Sequence, residues 1–181
     1  MIYVKSKGSL IKMSSPTKKI VLTALMVALV YVATTIIVIP SPLKGYINLG
    51  DCIVLLSGWL LGPWYAFLAA GLGSALADLY AGYLVYAPVT FVIKGSMALL
   101  VCLIYKLLNK KIGKLPGQLI GGIVAEIIMI LGYFIFEGFL YGFAPSIVNI
   151  PANAVQGVAG VMIGTILIKL LEKTNAVNML T

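Results

Sequence analysis

The run from Ile20 to Ile39 carries no charged residue. About 20 apolar residues in a helix are enough to cross the roughly 30 Å hydrocarbon core of a bilayer. A chain with such a run must bury it or place it in lipid, and the composition decides between the two. Of 181 residues, 61% are hydrophobic and 10% are charged, whereas a soluble domain carries about 25% charged residues. There are too few polar side chains to cover a soluble surface. The chain therefore reads as an all-α integral membrane protein. A secretory signal peptide has a shorter apolar core and a cleavage site of small residues. The first run reads instead as a retained transmembrane helix.

Further segments follow in order. Pro40-Ser41-Pro42 stops the first helix, because each proline fixes its own φ and restricts the residue before it. The stretch Lys44-Gly45-Tyr46-Ile47-Asn48-Leu49-Gly50-Asp51 then leads into a second apolar run, Leu49–Leu61. Gly62-Pro63 marks a tight turn. The third helix, Trp64–Tyr80, is rich in glycine, alanine and serine, which let helix backbones approach closely in lipid. A fourth helix spans Ala87–Leu108, a fifth Gln118–Leu140 and a sixth Ser146–Glu172. Asn109–Gly117 reads as a basic loop between the fourth and fifth. The expected organisation is a six-helix transmembrane bundle over 18–173. A basic cytoplasmic segment, 1–17, precedes it and a short tail, 174–181, follows.

The net charge is +8, with 13 basic residues, all lysine. A basic balance can signal nucleic acid, but these lysines sit at segment ends rather than on one soluble face, so no nucleic-acid partner is expected. Lys106, Lys110, Lys111, Lys114, Lys169 and Lys173 share a side with the N-terminal lysines, while the opposite loops contribute only Lys44. That asymmetry places both termini in the cytoplasm. The chain has no histidine, which excludes histidine metal sites and histidine-dependent triads. Cys52 and Cys102 lie in apolar surroundings and read as small hydrophobes. No metal and no cofactor is expected.

Ionisable groups inside a membrane segment are costly, so they face the bundle interior or a water-filled cavity. Tyr86, Thr90 and Lys94 recur every four residues on the fourth helix and share a face. Glu126, Tyr133, Glu137 and Tyr141 form a stripe on the fifth, and Asn149, Asn153 and Gln156 form one on the sixth. Most of these groups fall in the outer half, as do Asp51 and Asp78, with Glu126 deeper. With Lys44, Asn48 and Asp51 from the first loop they outline an outward-facing pocket for a small polar ring compound. Each element also has a structural reading. Lys94 and a carboxylate such as Glu137 make an ion pair that holds helices together. The amides serve as interhelical glue. Asp51 and Asp78 are caps or solvated ends. Tyr80 and Tyr83 belong to an interfacial belt.

These residues carry a resemblance. The six-helix layout, Ala24 and Ala28 in Leu22-Thr23-Ala24-Leu25-Met26-Val27-Ala28, and the Gly45–Asp51 stretch after a proline-rich loop resemble the substrate-binding S component of energy-coupling factor (ECF) transporters. So does Leu61-Gly62-Pro63-Trp64-Tyr65-Ala66 followed by small residues to Ala77-Asp78. The resemblance covers about residues 18–173. It implies a bacterial cell-membrane protein that captures a vitamin-like substrate with the first loop and helices four to six. It implies docking through helices one to three, with Ala24 and Ala28 against a transmembrane coupling subunit driven by two cytoplasmic ATPases. It also implies that the chain topples in the membrane to release its cargo. The chain has no Gly-x-x-x-x-Gly-Lys-[Ser/Thr] phosphate loop of its own. Within the family it most resembles the carriers of hydroxymethylpyrimidine, the thiamine precursor, or of pyridoxine; riboflavin and pantothenate carriers are close relatives. Lys94 and Glu137 would complement a ring bearing hydroxyl and amino groups. The alternative from another class is a small membrane enzyme using Asp51, Asp78 or Glu137 for acid–base work.

Overall fold

The structure, a computed structural model, describes residues 16–41 and 45–174. Lys5, Lys7, Lys12, the loop residue Lys44 and the tail after Thr174 lie outside the described residues. The chain forms α1 (Pro16–Ile36), a hairpin of β1 (Ile39–Pro40) and β2 (Tyr46–Ile47), α2 (Gly50–Leu60), α3 (Pro63–Tyr80), α4 (Ala87–Ile112) and α5 (Lys114–Tyr141). The single turn α6 (Phe143–Ser146), a 3-10 turn (Ile147–Asn149) and α7 (Ile150–Lys173) complete it as one continuous span. The architecture is a six-helix bundle. Among the described residues four segments, α1, α4, α5 and Phe143–Lys173, are long and apolar enough to cross a membrane.

The exposed surface is apolar on every long helix. On α1 only Met26, Val30 and Thr34 are buried, a single stripe at helical spacing, while Ile20, Val21, Leu25 and Leu29 face outward. A helix that is hydrophobic all round belongs in a core or in a membrane. α2 is the opposite case. It has 11 residues, so it rises only about 16 Å, and nearly all of them are buried among α1, α3, α4 and α7. Small residues permit that density. A Cβ on Gly58 would lie 2.7 Å from the Ala98 carbonyl of α4, and one on Gly73 would lie 2.7 Å from the Val27 carbonyl of α1.

Three boundaries differ from the sequence reading. The first helix runs from Pro16 to Ile36 rather than from Ile20 to Ile39, because Ile39 pairs in the hairpin. The Asn109–Gly117 loop is absent: α4 runs on to Ile112 and α5 begins at Lys114, with only Gly113 between them at φ 93°. Lys110 and Lys111 fall in the last turn of α4, where cations complement the helix dipole. Pro116 sits in the first turn of α5, where a missing N–H costs nothing. The sixth span starts earlier than Ser146, at Phe143. It narrows to a 3-10 turn just before Pro151, which has no N–H to continue the α-helical ladder.

The first loop also carries more order than its prolines suggest. Ile39 pairs with Ile47 and Pro40 with Tyr46 in antiparallel register. Ser41 N–H donates to the Gly45 carbonyl at 3.1 Å. Gly45 turns the chain at φ 110°, a left-handed conformation that favours glycine. The hairpin leads directly into α2.

Candidate functional site

Nine of the residues singled out in the sequence line one cavity: Asn48, Tyr86, Thr90, Lys94, Tyr133, Glu137, Asn149, Asn153 and Gln156. It encloses about 40 Å³, on a measure by which one water needs about 10–15 Å³. α4, α5 and the sixth span supply its walls and the hairpin its cover. Gly45 and Tyr46 of the loop, Ser74 and Asp78 of α3, and Tyr83 complete it with Thr34 and Ser41.

The floor is an ion-paired hub. Lys94 Nζ donates to Asp51 Oδ1 in a short contact, with both side chains almost wholly buried. Gln156 Nε2 donates to the other oxygen, Oδ2, at 2.6 Å. Gln156 Oε1 accepts from the Asn48 backbone N–H at 2.8 Å, and Asn48 Oδ1 caps the N–H of Gly50 at 2.8 Å. One chain of hydrogen bonds therefore links α4, α2, α7 and the loop. Asp51 itself lies behind the cavity rather than on its wall. This corrects two readings. Asp51 is no solvated helix end: it is fully buried, because α2 starts inside the bundle. Lys94 pairs with Asp51, not with Glu137, because α2 packs against α4 and puts Asp51 opposite it.

The walls are less complete. Asn149 Nδ2 and the Tyr86 hydroxyl both donate to Glu137 Oε1, at 2.9 and 3.3 Å. Glu137 Oε2 has no hydrogen-bond partner among the described residues. The Tyr46 hydroxyl donates to Asp78 Oδ1 at 2.7 Å, while Asp78 Oδ2 and Ser74 Oγ are likewise unpartnered. Burial, reinforced by the Asp78 carboxylate, pushes the Tyr46 phenol far above its ordinary range, so it stays a donor. Tyr133 joins Thr90 across 3.0 Å between hydroxyls and lies under the Lys94 ammonium, 5.7 Å from the ring centre. The aromatic cover runs from Tyr46 to Tyr83 (ring centres 5.1 Å apart) and on to Tyr86 (6.0 Å).

Sequence reasoning missed Tyr46, Ser74 and Tyr83, and left Asp78 out of the site set. Tyr83 reads as an interfacial belt residue, yet it lines the cavity and reaches the Gly45 carbonyl at 3.4 Å. Its position three residues before Tyr86 was the available signal. Tyr80 does face outward, 76% exposed. Glu126 is buried on the Tyr133–Glu137 helix but does not line the cavity. It packs against α7, where a Cβ on Gly157 would meet Glu126 Cβ at 3.0 Å. Ala24 and Ala28 are exposed on α1, away from the cavity lining. Ala24 borders a shallow apolar groove with Ile20, Val27, Tyr65 and Leu68. Among the described residues no three cysteines or carboxylates converge as a metal-binding group.

A family model described as the ECF-type riboflavin transporter, S component, matches residues 14–173. An uncharacterised protein from Pyrococcus woesei is 38% identical over 145 residues, covering 80% of this chain and 95% of its own length. The thiamine precursor transporter HmpT of Lactococcus lactis subsp. cremoris is 29% identical over 164 residues, covering 89% and 92%. A solved S component of a bacterial ECF transporter has the same fold, with a TM-score of 0.67 at 21% identity, covering 88% of this chain and 98% of that one. The match spans every helix, and the chain belongs to the ECF transporter S components: multi-pass membrane subunits, not enzymes, that bind small vitamin substrates and associate with a transmembrane coupling subunit and its ATPases.

Proposed function

We propose that this subunit captures a hydroxymethylpyrimidine-type thiamine precursor in the cavity beneath the first loop. The observation that carries the reading is the cavity itself: about 40 Å³ of space with polar groups on every wall. A single six-membered ring needs far less rearrangement to enter it than the three fused rings of riboflavin. The likeness to a thiamine precursor transporter adds support. Tyr86, Tyr133 and Tyr46 offer ring faces and hydroxyls, Glu137 and Asn149 a paired acceptor and donor, and Asn153 an amide. Lys94, Asp51, Gln156 and Asn48 set the floor and anchor the loop to it. Lys44 belongs to the same loop and is retained as a ligand contact. The α1 face bearing Ala24 and Ala28 meets the coupling subunit, where small side chains allow close helix packing.

Riboflavin is the second reading, because the matching family model carries its name. Titration of the detergent-purified subunit separates the two. Flavin fluorescence reports riboflavin binding directly, and calorimetry reports the pyrimidine. The expected result is micromolar or tighter pyrimidine binding with unquenched flavin. Tight flavin quenching without pyrimidine binding would replace the first reading by the second.

A further inference from the structure

Two carboxylates face the cavity with an acceptor to spare. Asp78 is 6% exposed and Glu137 is 3% exposed. Each has one oxygen engaged by a hydroxyl or an amide N–H and the other without a partner among the described residues. Ser74 Oγ is unpartnered on the same wall. The one cation lining the cavity among the described residues, Lys94, is held by Asp51. A buried acceptor left unmatched is costly, and an unpaired buried charge more so. The wall therefore has vacant capacity for N–H and O–H donors, and the one described cation on it is already paired; Lys44 of the loop, a contact in the reading above, is assigned to a neutral ring oxygen or nitrogen.

From this arrangement, and resting on the substrate reading above, we infer that the subunit selects its ligand by donors. It takes an uncharged or cationic amino-bearing ring and rejects ligands that carry a carboxylate or phosphate. Glu137 and Asp78 are the specificity-determining residues. An amine on the ring donates to Glu137 Oε2, and a second donor reaches Asp78 Oδ2. A carboxylate in the same place brings further acceptors to a wall that already holds two carboxyl groups with oxygens to spare.

The test uses calorimetry on the full chain in detergent with four probes: aminohydroxymethylpyrimidine, its analogue with the amine replaced by methyl, pantothenate and riboflavin. The expected result is binding of the amine, at least tenfold weaker binding of the methyl analogue, and no binding of pantothenate. Glu137→Gln keeps an oxygen for Asn149 and Tyr86 but turns the free acceptor into a donor. It should weaken the amine at least tenfold without moving the unfolding midpoint. Asp78→Asn, which keeps the Tyr46 contact, tests the second position in the same way. Equal affinity for amine and methyl compounds, or tight pantothenate binding, would overturn the inference while leaving the ring reading intact. Riboflavin binding without pyrimidine binding would overturn the substrate reading; donor selection is then decided by pantothenate, whose exclusion supports it and whose binding overturns it.

Discussion

The three carboxylates around the cavity are built from the same chemistry and differ in how fully they are answered. Asp51 has a lysine on one oxygen and a glutamine amide on the other. Glu137 and Asp78 each keep one oxygen open. Asp51 lies behind the lining, and the other two lie on it. The difference separates a charge that holds four elements together from charges that wait for a ligand. Burial alone does not distinguish them, since all three are buried. The state of the second oxygen does.

The largest effect should come from the answered centre. Asp51→Ala leaves Lys94 buried without its counter-ion and should cost about 3–5 kcal/mol of stability, measured by thermal unfolding in detergent. Asp51→Leu with Lys94→Met should recover most of that loss, because an apolar pair of similar volume replaces both charges. If Asp51→Ala unfolds like the parent, the hub is not structural and the comparison fails. The open centre should behave the other way. Glu137→Gln should cost about 10- to 100-fold in ligand affinity, the penalty of an unmatched buried group, with little change in unfolding. A collapse of stability there would put Glu137 in the same class as Asp51.

A smaller effect is expected at the cover. Tyr46→Phe removes the hydroxyl that holds Asp78 Oδ1. A net hydrogen bond contributes about 0.5–1.5 kcal/mol, so stopped-flow measurements should show ligand release about threefold to tenfold faster. Unchanged release would show that this contact of the covering hairpin does not hold the ligand in. The smallest effect on the cavity should come from Ala24→Trp, on the exposed face of α1. Ligand affinity of the isolated subunit should stay within about 0.5 kcal/mol of the parent, as for surface changes in general. Assembly with the coupling subunit, read by co-purification, should be lost. Intact assembly would remove α1 as the docking face.

The lessons for reading sequence follow from what periodicity can carry. Spacing within one helix put Tyr86, Thr90 and Lys94 on one face, and Asn149, Asn153 and Gln156 on another, and the structure brings both sets to one cavity. Which carboxylate meets Lys94 is a property of packing between helices. Spacing offers no handle on it: the sequence reading pairs Lys94 with a carboxylate and offers Glu137 as the example, and the packing of α2 on α4 makes it Asp51. The sequence makes Asp51 a cap or solvated end of the second apolar run; only the bundle around the short α2 shows that Asp51 begins inside. Tyr46, Tyr83 and Ser74 were missed for a related reason. Tyr46 and Tyr83 come from a hairpin and a connection, which carry no helical periodicity; Ser74 stands four residues before Asp78 on α3, a two-residue polar face that does not stand out among the small residues of that helix. The enzyme reading of Asp51, Asp78 and Glu137 falls with the family, and the geometry supplies the physical reason for Asp51: both oxygens are already committed.

The most direct measurement is mass spectrometry of the small molecule that co-purifies with the detergent-solubilised subunit. A small cavity with open acceptors predicts an amino-bearing pyrimidine at one per chain, lost in Glu137→Gln. A flavin or an anionic vitamin in its place would contradict it.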